Sequence, residues 1–209
     1  MSRRRPILDQ PPKPIAQRAD SEQIVQAVIG AAIELGPHAT LAAIAAKAGV
    51  GPASLHRYFP NTAAIFAEVS RQTYRTLLDQ MRELITRTDL DLHEMLAEVC
   101  RAAVAGPGLS MEHRRRLNLE IPLVWSMGTA EPVYAEVLEL GSKWIRSHVE
   151  HPPDDLDARL FAAFGMIRGT MLLTMTFPNL APPLDVLVST LTESVYRTIA
   201  TPSSVPTRP

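Results

Sequence analysis

From Asp20 to Ala200 the apolar residues recur every three to four positions, and no stretch alternates apolar with polar residues long enough to build a sheet. That periodicity leaves packed helices as the way to bury the apolar side chains, so an all-α protein is expected. Prolines gather at the two ends, at 6, 11, 12 and 14 and again at 202, 206 and 209. Residues 1–19, with Arg3, Arg4 and Arg5, are therefore expected to form a disordered basic arm, and residues 201–209 a disordered tail.

The first helix is expected from Asp20, with Asp20 as N-cap and Gln23 in the capping-box position. Ile24, Val28, Ala31 and Leu35 make its buried stripe, and Gly36-Pro37 ends it. Thr40 reads as the N-cap of a second helix that buries Leu41, Ile44 and Ala48, with Gly49 as the left-handed residue at its end. A stub of two turns follows, opened by Pro52 and closed by Pro60. A helix that short is unstable alone and must be held by packing. A long helix over 61–87 comes next, with Ile65, Phe66, Val69, Leu77 and Leu84 spaced for burial. Further helices are expected at 91–105, 110–119, 122–150, 154–176 and 184–199.

With 46% hydrophobic and 21% charged residues the composition is that of a soluble globular protein, and a cytoplasmic location without membrane association is expected. The single Cys100 cannot form an internal disulfide. The net charge of −1 hides an asymmetry: residues 1–89 hold 11 Lys and Arg against 8 Asp and Glu, residues 90–209 hold 10 against 14. Between Ala39 and Pro60 there is no acid at all. The first part of the chain is thus compatible with a nucleic-acid partner.

At about 100° per residue, Leu55, Phe59 and Pro52 fall on one face of the stub, while Ala53, Ser54 and Arg57 fall on the other and His56 on the flank. A short helix, a Gly-containing turn and a second short helix with a basic, small-polar outer face make a helix-turn-helix, whose second helix enters the major groove of DNA. Arg57 is the expected base or phosphate contact; Ala53 and Ser54 offer only short contacts, leaving much of the specificity to DNA shape. Lys47 reads as a solvated surface lysine.

The stretch "TLAAIAAKAGVGPASLHRYFPNTAAIFAEV" resembles the DNA-binding region of the TetR family of transcriptional regulators, through Thr40, Ile44-Ala45, Ala48-Gly49-Val50, Leu55 and Tyr58-Phe59. The resemblance covers about residues 20–70. With the wheel it gives an expected DNA-binding set of Thr40, Ala53, Ser54, His56, Arg57, Tyr58 and Thr62. Two positions depart from the family pattern. His56 stands where a phosphate-touching tyrosine is usual, and Thr62 where a lysine is common at the start of the long helix. Residues 3–5 either compensate by reaching along the DNA or belong to an inert tail.

What the resemblance implies is a helix-turn-helix domain at 20–66 and a helical ligand-binding and dimerisation domain at 67–200. It implies a homodimer on a palindromic double-stranded operator, released when a small molecule tilts the long helix. Six of the eight methionines and both tryptophans lie beyond residue 90. Met95, Trp125, Met127, Phe161, Phe164 and Met171, with Trp144, are the expected lining of a site for a small apolar or aromatic ligand. Gly165 and Gly169 lie one turn apart in the penultimate helix, where the resemblance implies the dimer contact. Arg168 sits in the apolar run "FAAFGMIRGTMLLTM" and needs a partner. Arg114, Arg115 and Arg116 read as a solvated face.

Catalysis finds little support. Cys100 and His93 are two turns apart, and "HVEHPP" at 148–153 lacks the fixed spacing of a zinc helix. No Gly-rich phosphate loop is present and no cofactor or metal is expected. Two other readings stand beside the repressor: a ligand sensor that acts through a protein partner with weak DNA binding, and a small helical enzyme.

Overall fold

The computed structural model describes residues 19–106 and 110–200; the tail expected at 201–209 and the basic arm expected at 1–19, except Ala19, lie outside the described residues. All regular structure within them is helical. The α-helices are α1 (Ala19–Leu35), α2 (Leu41–Ala48), α3 (Pro52–Tyr58), α4 (Thr62–Leu84), α5 (Leu92–Ala105), α6 (Met111–Arg115), α7 (Leu123–His148), α8 (Leu156–Thr176) and α9 (Leu184–Ala200). A π-helical turn, Arg116–Glu120, extends α6, and a 3₁₀ turn, Pro178–Leu180, follows α8. No helix is long and apolar enough to cross a membrane among the described residues.

The residues form two compact units. Of the described residues, the first unit contains those up to Thr76 together with Glu112–Val133; the second contains those between Leu77 and Met111 and those from Tyr134 onward. The expected division after residue 66 assigns 112–133 to the second domain, whereas this stretch completes the first unit. Ile121 is buried there, and Leu117 and Trp125 pack against the same core. That core contains Val28, Ile44, Leu55, Phe59, Ile65 and Phe66, each no more than 2% exposed. The second unit has its own core, with Cys100, Leu156, Val195 and Ile199 no more than 1% exposed.

Local signals set the helix ends. Thr40 Oγ1 accepts the Ala43 N–H at 3.2 Å, and Gly49 adopts φ 67°, a conformation that strains any residue with a Cβ. Asn61 Oδ1 accepts the Ala64 N–H at 2.8 Å at the start of α4. Asp91 and Glu94 form a full capping box on α5.

Three expectations need correction. The α1 helix starts at Ala19, so Asp20 lies inside its first turn rather than capping it. Leu35 is exposed, because Gly36 at φ 81° turns the chain away just after it; Val25, Ile29 and Ala32 are buried in the same helix. Arg114–Arg116 is not a uniformly solvated face. Arg114 is buried, and that burial pushes its guanidinium pKa down. Arg116 donates to the Ile33 carbonyl at 2.9 Å, to the Glu34 carbonyl, and to Glu112 at 2.7 Å, closing the C-terminal end of α1.

Candidate functional site

The stub α3 is a helix because its neighbours hold it. Gly51 in an extended conformation opens it, Pro52 occupies the first turn, and Phe59 leaves helical geometry while its N–H bonds the Leu55 carbonyl. Leu55 and Phe59 anchor it in the core of the first unit. Ala53, Ser54, His56 and Arg57 are exposed, so one small-polar and basic surface lies opposite the anchor. Pro52, expected on the packed face, is exposed as the first residue of the helix.

Tyr58, counted in the DNA-binding set, has its ring in the core at 9% exposure. Its angular position lies next to Leu55, and an aromatic ring buries most area there. Only its hydroxyl bears on the outer face: Arg57 Nη2 donates to Tyr58 Oη at 2.9 Å, and the guanidinium lies 5.1 Å from the ring centroid. Thr40 is exposed at the start of α2, and Thr62 is half-buried as the first residue of α4. Lys47, read as merely solvated, pairs with Glu34 at 2.6 Å across two exposed side chains.

Behind this surface α4 is fixed by a buried carboxylate. Glu68, 2% exposed, accepts from Arg71 Nε at 2.7 Å and from Arg71 Nη2, and from Gln72 Nε2 at 3.1 Å. The Arg71 guanidinium is held charged by that carboxylate, its pKa raised above the ordinary value. Gln72 in turn accepts from Gln26 of α1 at 3.4 Å.

Residues 24–69 match the family model described as "Bacterial regulatory proteins, tetR family". The chain carries a TetR-family N-terminal region. Solved structures of TetR-like fold extend the likeness across most of the chain. NalD of Pseudomonas aeruginosa, the secondary repressor of the MexAB-OprM multidrug efflux pump, is 23% identical with a TM-score of 0.67, over 86% of this chain and 98% of its own. FadR of Bacillus subtilis, solved with stearoyl-CoA, is 21% identical with a TM-score of 0.65, over 85% and 98%. A TetR-like regulator from Rhodococcus sp. RHA1 is 17% identical with a TM-score of 0.62, over 87% and 97%. At these identities the likeness is one of fold. No curated protein matches the chain.

The second unit holds a cavity of about 90 Å³. Its wall includes Met81, Met95, Trp144 and Phe164, and Leu160, Ala163 and Ile167 of α8 follow the helical spacing of Phe164. Of the expected lining only Met95 and Phe164 reach it, joined by Trp144. Trp125 stacks on Phe66 in the first unit, centroids 6.2 Å apart, and Met127 of the same unit is 55% exposed. Phe161 is 70% exposed; following Leu160 by one position, it lies about 100° around the helix from it, at the edge of the stripe that faces the cavity. Met171 is buried one turn beyond the wall, with Arg168 Nη1 4.0 Å from its sulfur. Arg168 lies over the Tyr134 ring, 5.5 Å from its centroid. Among the described residues no group of His, Cys, Asp and Glu is placed to hold a metal ion.

Proposed function

We propose that this TetR-like chain is a ligand-responsive transcriptional repressor that binds a palindromic operator as a homodimer and leaves it when a small molecule fills the second unit. The observation that carries the reading is α3: Ala53, Ser54, His56 and Arg57 exposed on one side, Leu55 and Phe59 buried on the other. In this reading Arg57 contacts a base edge or phosphate. Thr40 and the N-terminal end of α4 at Thr62 receive backbone phosphates, and Tyr58 acts through Arg57.

Two copies related by a two-fold axis would set their α3 helices in successive major grooves, about 34–36 Å apart. The second unit offers apolar surface for the partner copy: Phe161, Leu173, Phe177, Leu180, Leu184 and Val186 are each at least 46% exposed. Met81 of α4 lies on the cavity wall, and the same helix starts at Thr62. Displacement of the end of α4 is the route we assign to release. Driving occupancy from nearly full to nearly empty requires a ligand preference of about 5.5 kcal/mol for the released form.

The test is selection from a random duplex pool by the full chain at physiological salt. A two-fold palindrome is expected, and it should disappear with Arg57→Ala. A folded, dimeric, ligand-free protein that enriches no sequence would overturn the reading in favour of a sensor acting through a protein partner.

A further inference from the structure

The cavity of the second unit has a wall of unusual chemical uniformity. Every lining side chain is hydrocarbon or thioether except the indole of Trp144. Trp144 is 5% exposed, and its Nε1–H meets no hydrogen-bond acceptor among the described residues. A buried donor without a partner is costly and rare in a folded chain. The ring is held in place: it stacks on His148 at 4.3 Å and 11°, and the His148 ring nitrogen Nδ1 sits 2.9 Å from the Trp144 carbonyl. The indole therefore has little freedom to turn its N–H elsewhere.

Water is a poor answer to that unpaired donor. A buried water needs two to four polar partners, and the Trp144 N–H is the one polar side-chain group among the residues that line this cavity. An ion is a worse answer, because among the described residues no ionisable side chain lines the cavity to pair with it.

On the reading that this cavity is the effector site, we propose that its ligand is an uncharged, apolar molecule with one hydrogen-bond acceptor, which receives the Trp144 Nε1–H. At about 90 Å³ the empty cavity is smaller than one ring with a substituent. The flexible side chains of Met81 and Met95 are the part of the wall able to yield. The bound group is then of the order of a single ring or a short chain, and any charged portion of a larger molecule stays outside.

Titration of the full chain labelled with ¹⁵N and with ¹³C at the methionine methyls, at pH 7 without DNA, tests this with acetophenone, ethylbenzene and benzoate. These share a ring and differ in carrying one neutral acceptor, none, or a charge. Trp125→Phe identifies which of the two indole signals belongs to Trp144. Acetophenone is expected to move the Trp144 indole proton downfield. Ethylbenzene should perturb the Met95 methyl without that shift, and benzoate should do neither. Trp144→Phe should weaken acetophenone by about threefold to tenfold relative to ethylbenzene, the worth of one neutral hydrogen bond.

Benzoate binding as tightly as acetophenone, acetophenone binding without moving the indole, or no binding of either neutral probe would each overturn the proposal. The wild-type titration decides even if Trp144→Phe does not fold. A chain that selects an operator but ignores acetophenone loses this inference alone; one that binds acetophenone but no operator loses the regulatory reading alone.

Discussion

Arg57 and Tyr58 are neighbours in α3 with opposite environments, joined by a hydrogen bond of 2.9 Å from the exposed guanidinium to the hydroxyl of a ring buried in the core. The core thereby restrains the side chain that the outer face presents. Tyr58→Phe keeps the ring and removes the acceptor. It is expected to leave stability within about 1 kcal/mol and to lower affinity for the selected operator by about threefold to tenfold. Arg57→Ala should cost tenfold or more. Fluorescence anisotropy on a labelled palindrome measures both; equal affinities of Tyr58→Phe and wild type would show that the hydroxyl does not orient Arg57.

Arg116 closes the end of α1 by donating to the Ile33 and Glu34 carbonyls. Arg116→Ala removes these charge-assisted bonds and should destabilise the protein by about 1–2 kcal/mol. Urea unfolding followed by circular dichroism reads the shift. Arg115→Ala, on an exposed neighbour, serves as the control and should change stability by less than about 0.5 kcal/mol.

Gly141 lies in the interior of α7, where a Cβ would meet Leu160 Cδ2 at 3.8 Å, an ordinary contact. Gly141→Ala removes backbone freedom from the unfolded chain and should raise stability by about 0.5–1 kcal/mol. The added methyl enters the cavity wall, so acetophenone binding should weaken in the same variant.

Cys100 is fully buried, and burial pushes its thiol pKa up. At pH 8 the native protein should react with an aromatic disulfide reagent only as fast as it opens, whereas the chain in urea reacts at once. The sign for stability follows from the raised value. The neutral thiol's contribution is complete below the unfolded thiol's pKa, about 8.5, and declines as pH rises above it. Cys100→Ala should abolish this part of the alkaline dependence in urea titrations at pH 8 and 10.

The helix-turn-helix was legible because its signals are local. Thr40 caps within three residues, Gly49 needs only its own φ, and Leu55 with Phe59 share a face set by helical period alone. The cavity was less so. Trp125 and Trp144 are alike in composition and apolar setting, and only the path of the chain sends one to Phe66 in the first unit and the other to Met95 in the second. Phe161 misses the cavity by one helical position, within the uncertainty of assigning a stripe in a helix that is apolar on most sides. The role of Arg116 depends on a partner more than eighty positions earlier in the chain, and no local pattern announces it.

The return of Glu112–Val133 to the first unit sets a timetable for a chain that is made from its N-terminus. The segment from α1 to the first turns of α4 leaves the ribosome with Ile44, Phe59 and Phe66 in need of a cover to which Ile121 and Trp125 belong. At about 5–20 residues per second, the stretch from Thr76 to Val133 takes roughly 3–11 s to synthesise. For that interval the nascent helix-turn-helix is incomplete and its apolar side is open to chaperones, proteases and other nascent chains. A fragment ending at residue 76 would remain in that condition permanently.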